Sequence, residues 1–160
     1  MNFKKIAFAG VLLVSAMGAQ AADYNLGNLS AGYTNFTYNV ASGSFMDKIA
    51  FNLASQSNGS FGAGALNFTV GGVPLLNISG LSLSLFDGSD NQLGNGLDFS
   101  INALNGGNYY LKVSGVANGL AGGMYGGGIN VSAVPEPGTW TTLLAGLAMF
   151  GFMAYRRRQQ

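Results

Sequence analysis

The stretch SFMDKIAFNLAS, residues 44–55, places Phe45, Ile49, Phe51 and Leu53 at every second or fourth position, with Lys48, Ala50 and Asn52 between them. Successive side chains of a strand point to opposite faces, so a period of two predicts one buried and one wetted face. Asp47 falls in the apolar register, where a carboxylate is costly unless bonded. We expect it to open the strand and to accept backbone N–H groups from a neighbouring loop, because buried polar groups are usually satisfied locally. A ligand-binding role is the alternative.

The same alternation recurs outward from this stretch. NFTYNV places Phe36, Tyr38 and Val40 on one face, and LNFTV does so for Leu66, Phe68 and Val70. LSLSLFD turns Leu81, Leu83 and Leu85 inward, NYYLKVSGV turns Tyr109, Leu111 and Val113, and GGINVSAV offers Ile129 and Val131. The clusters SQSNGS, DGSDNQLGNG, NGG and NGLAGG read as turns between them. No helical period interrupts the series. The expected fold class is all-β, an antiparallel β-sandwich or jelly-roll-like domain of about seven to nine strands over residues 22–133.

The two ends differ from this middle. Lys4 and Lys5, an apolar run from Ile6 to Met17, and the small residues Ala19 and Ala21 have the form of a secretory signal peptide over residues 1–21. Cleavage by signal peptidase after Ala21 would start the mature chain at Ala22, the export machinery being the implied partner. A retained anchor is the alternative. At the other end, Thr139 to Tyr155 is an apolar run of 17 residues. As a helix it would extend about 26 Å, slightly under a hydrocarbon core of about 30 Å. It therefore predicts a marginal transmembrane helix at 139–155, and Arg156, Arg157 and Arg158 would hold its end in the cytoplasm.

Val134, Pro135, Glu136 and Pro137 immediately precede this run. The order of Pro-Glu-Pro, short apolar run and arginine cluster, residues 134–160, closely resembles the PEP-CTERM sorting signal of Gram-negative bacteria. The resemblance implies processing by exosortase, with the tail in the inner membrane transiently and the product at the cell surface or in the extracellular matrix, near exopolysaccharide or biofilm. FMDKIAFNL further resembles the Phe-x-Asp motif of one subfamily, carried by Phe45 and Asp47; Ile49 stands where that pattern has a later aromatic. The segment from LSLSLFDGSDNQL to GGMYGGGINV resembles the β-sandwich domains at the C-termini of secreted bacterial peptidases.

Composition excludes several functions. The chain has no Cys and no His, which removes the commonest nucleophile–base pairs and transition-metal ligands, and no enzyme is expected. Ala22 to Val134 carries five aspartates against two lysines, a net −3, so no nucleic-acid partner is expected. Asp87, Asp90 and Asp98 crowd the stretch DGSDNQLGNGLD, whose oxygens suit Ca²⁺, although Asp-Gly is first a hairpin signal. A non-catalytic surface or matrix protein without cofactor is the leading expectation, and a Ca²⁺-assisted carbohydrate-binding adhesin module the alternative. Six Asn-x-Ser/Thr triplets occur, at Asn28, Asn35, Asn58, Asn67, Asn77 and Asn130; those at Asn35 and Asn67 fall in strand alternation, and N-glycosylation is not the expectation. Thr34, Thr37 and Thr69 are too few for a threonine array that would bind ice.

Overall fold

Residues 20–134 and 137–157 are described by a computed structural model. Residues 1–19 of the signal stretch, Ala19 included, and Pro135, Glu136 and Arg158 lie outside the described residues. Eleven strands precede one helix among the described residues: β1 (Asp23–Leu29), β2 (Gly32–Val40), β3 (Gly43–Leu53), β4 (Ser57–Leu66), β5 (Phe68–Val70), β6 (Val73–Leu76), β7 (Ile78–Asp87), β8 (Gln92–Asn95), β9 (Asp98–Leu104), β10 (Gly107–Ala117), β11 (Gly123–Ala133) and α1 (Pro137–Arg157).

A five-stranded sheet has the order β1-β3-β10-β7-β8, and a four-stranded sheet the order β2-β11-β4-β9. Their inner faces meet. Phe45 of β3 stacks on Tyr125 of β11 at 5.5 Å between ring centroids, and Phe51 of β3 meets Phe61 of β4 at 6.1 Å. Such pairs contribute about 0.5–1.5 kcal/mol each beyond the area they bury. The axis of the larger sheet is β3 against β10, in unbroken register from Gly107↔Leu53 to Ala117↔Gly43. Their alternation puts Phe45, Ile49, Phe51, Leu53, Leu111 and Val113 inside, with Leu83 and Leu85 of β7 beside them.

Every strand pair is antiparallel except β1 with β3. Between those two, β2 crosses to the other sheet, so the chain returns to the first sheet running in its original direction.

Three expectations are corrected. LNFTV is not a core strand: β4 ends at Leu66, and β5 pairs only with β6 in a separate hairpin that leaves Phe68 and Val70 half exposed. Conversely, only the first part of the SQSNGS cluster is a turn: Ser55 and Gln56 connect β3 to β4, which begins at Ser57 inside the cluster. Finally, α1 covers the run where a membrane span was expected, yet no helix among the described residues is long and apolar enough to cross a membrane. Thr141 and Thr142 open the run with polar groups, and Gly146 and Gly151 dilute it. The unbroken apolar part is too short for the bilayer core.

Glycine lets the neighbouring strands β2 and β4 pack closely against the middle of β11. A Cβ at Gly127 would strike the Gly62 carbonyl oxygen and the Phe36 ring, and one at Gly128 the Tyr33 phenol. We therefore expect Gly127→Ala to lose about 1–3 kcal/mol, as overpacking does. Gly64→Ala, in open space on β4, should be neutral or slightly stabilising. Urea unfolding midpoints of the two variants check the contrast.

Candidate functional site

Two places concentrate chemistry: the C-terminal tail and the carboxylate of Asp47. The tail begins where β11 ends. The Val134 N–H donates to the Gln56 carbonyl at 3.4 Å, the last backbone bond of the chain to the domain among the described residues. Pro137 is the first residue of α1, a position where proline's missing N–H is harmless. The helix closes on Arg156 and Arg157, whose charge complements the negative end of its dipole. Leu143, Leu144, Leu147, Phe150 and Phe152 are all exposed along it.

Asp47 is 1 % exposed and lies in the middle of β3, not at its start. Its Oδ2 accepts the Tyr125 hydroxyl at 2.7 Å from the opposite sheet, and its Oδ1 accepts the Ala22 N–H at 3.0 Å from just before β1. The expected backbone donor is thus present, but it comes from a strand edge rather than a loop. Burial, then the bond to Asp47, pushes the Tyr125 phenol far above its ordinary range, so it remains a donor at any accessible pH. Phe45, the other residue of the expected Phe-x-Asp pair, stacks on the same tyrosine. Sequence reasoning missed Tyr125 as the partner. The signal was available: a tyrosine in phase with Ile129 and Val131 must bury its hydroxyl and needs an acceptor.

Asp87, Asp90 and Asp98 are not brought together as a cation site. Asp87 ends β7, Asp90 lies in the following turn, and Asp98 opens β9 in the other sheet. The Asp87 carboxylate is used by its own turn: Oδ1 accepts the N–H groups of Ser89 and Asn91, and Oδ2 accepts the Asn91 amide. Asp90, at φ 62°, accepts the Tyr110 hydroxyl at 2.9 Å. Among the described residues no group of three acidic side chains could hold a metal ion. The Asp87 carboxylate is thus already engaged by the turn that Asp-Gly opens.

The outer face of the larger sheet explains the two lysines. Lys48 and Lys112 are directly opposed across β3 and β10, an unfavourable pairing of like charges. Each turns away onto a ring: Lys48 lies 4.2 Å from the Tyr110 centroid and Lys112 4.8 Å from that of Phe86. The two rings stack at 5.0 Å and 5°. The two cations and the two stacked rings thus form one cluster on the outer face of the sheet.

The molecule is thus a two-sheet all-β domain that runs directly into a tail of helix and basic end. The family model of the PEP-CTERM protein-sorting motif matches residues 133–158, and the chain carries that motif. The motif implies exosortase-dependent export and sorting to the bacterial cell surface. A search of curated proteins finds no match. Among solved structures, the chain is similar to the pre-peptidase C-terminal domain of collagenase from Bacillus anthracis, at 23% identity and TM-score 0.42, over 72% of this chain and 97% of that one. It is also similar to PliG of Aeromonas hydrophila, a periplasmic inhibitor of g-type lysozyme, at 9% identity and TM-score 0.46, over 72% and 100%. At such scores neither likeness carries an argument about activity.

Three outcomes follow from this geometry. Tyr125→Phe keeps the ring against Phe45 but leaves Oδ2 of Asp47 without its donor, and should cost about 1.5–3 kcal/mol in urea unfolding. Ca²⁺ or chelator should leave the thermal midpoint unchanged. The Asn91 amide and the N–H groups hold the Asp87 carboxyl below its ordinary value of 3.8. A lowered folded pKa gives stability that is complete above the ordinary value and lost as pH falls through the lowered one. The turn should therefore survive at neutral pH and loosen only below pH 3.8, which amide exchange at Ser89 and Asn91 would register.

Proposed function

We propose that the mature protein is a non-catalytic component of the cell surface or extracellular matrix of a Gram-negative bacterium, associated with exopolysaccharide. The observation that carries this is the sorting motif at residues 133–158, which follows without a spacer on the last core strand. Residues 1–21 act as the signal peptide and are removed after Ala21. The tail helix engages the inner membrane only in passing, and exosortase cuts near Pro135. A helix too short in apolar residues for a stable span suits a transient address better than a permanent anchor. The chain's lack of His and Cys supports a non-catalytic role. Nothing in the domain favours the Ca²⁺-assisted adhesin over this reading.

Intact mass of the native protein, taken from surface and medium fractions with and without the host's exosortase, tests the proposal. We expect a form from Ala22 to near Pro135 in the wild type, and a form that retains Arg158 in the knockout. Co-fractionation with exopolysaccharide, lost after its enzymatic removal, is the expected sign of matrix association. Retention of Arg158 in both strains would make the tail a stable anchor and overturn the proposal.

A further inference from the structure

We propose that signal-peptide removal completes the fold: the α-ammonium of Ala22, created by cleavage, forms an ion pair with the buried carboxylate of Asp47. This rests on the assignment of the signal peptide to residues 1–21. In the uncleaved chain the Ala22 nitrogen is an amide whose N–H already donates to Oδ1 of Asp47 at 3.0 Å. In the cleavage, water adds across the Ala21–Ala22 peptide bond. Ala21 leaves as a carboxylate on the removed peptide, and Ala22 gains an ammonium. The cation therefore appears in contact with the carboxylate, with no movement of the chain.

The carboxylate needs such a partner. A buried carboxylate is expensive unless paired, and breaking a buried pair is more expensive still. The donors to Asp47 in the uncleaved chain are neutral: one amide and one phenol. The two lysines of the domain are committed elsewhere, Lys48 and Lys112 lying over Tyr110 and Phe86 on the outer face. The groups around the pair are aromatic. Tyr125 approaches from β11; Tyr24 of β1 and Tyr38 of β2 stack on each other at 3.5 Å, and burial, then the field of Asp47, raises the Tyr24 phenol. Tyr38 is raised by burial, then by Tyr24 and Asp47. All three phenols stay neutral near pH 8, so none competes for the charge. Asp23, the nearest other carboxylate in sequence, is exposed.

Cleavage also has a structural loss. Gln20 exchanges two backbone bonds with β3, through Ser44 O and the Met46 N–H, and these leave with the signal peptide. The Lys48 N–H bond to the Ala22 carbonyl remains and holds the new terminus in register.

The test uses the exported protein. N-terminal sequencing first establishes whether the native chain starts at Ala22. NMR titration of the alanine-labelled protein then reads the amine. A free α-amino group titrates at about 7.7–8.0, and an opposite charge at contact raises that by about one unit or more. Stability from a raised pKa is complete below about pH 7.7 and is lost as pH rises through the raised value. A variant with one glycine inserted between Ala21 and Ala22 turns the Ala22 amine back into an amide, and its thermal midpoint should fall by roughly 2–8 °C at pH 7. In an Asp47→Asn background the same insertion should make no difference. If Asp47→Asn does not fold, the amine titration and the insertion still decide. An amine at its ordinary value, or an insertion without effect, overturns the ion pair. A native chain that starts elsewhere defeats the signal-peptide assignment alone, since a protein trimmed in vitro to Ala22 still tests the pair.

Discussion

The hydrogen bond from Tyr125 to Asp47 ties the two sheets together through their shared core. Both groups are fully buried, so the bond is made in a medium where an unmet carboxylate would be intolerable. That demand sets the registers around it. β3 must present Asp47 inward, hence Phe45 and Ile49 on the same face. β11 must bring Tyr125 opposite, and the glycines that follow it let Phe36 and the backbone of β4 pack close to β11. The edge strand β1 is drawn into the same centre, because the segment leading into it supplies the second donor.

The surface follows a different logic. Lys48 and Lys112 are forced opposite each other by the same register that buries Asp47 and Val113. The aromatic rings on neighbouring strands absorb this conflict. The cluster of cations and rings is thereby explained by the demands of the sheet, and the recognised sorting motif lies in the tail.

The core was legible wherever large side chains alternated. β2, β3, β7, β10 and β11 turn inward the residues that a period of two assigns there, although Tyr38 and Leu81 are only partly buried. It was illegible where glycine replaced them. In SNGSFGAGAL only Phe61 and a few small residues mark the inner face, so β4 resembles a turn although it lies inside the smaller sheet. LNFTV misled in the opposite sense. Its pattern suits a strand, but its only partner is a hairpin at the periphery, and pattern alone does not say which strands meet. At the site, Asp47 stood out as a charge in an apolar register, whereas Tyr125 was hidden 78 residues away.

By itself the sequence determined the all-β class, most of the inward-facing residues, and the sorting tail, because these are local: they depend on alternation, turn chemistry and a contiguous motif. The tertiary structure decided which strands pair, that β1 runs parallel to β3, that three separated aspartates do not converge, and that Asp47 meets both Tyr125 and the residue expected to become the N-terminus. These depend on contacts between distant segments. They are settled by the need to satisfy one buried carboxylate while two sheets close around it, and no short window of sequence contains that requirement.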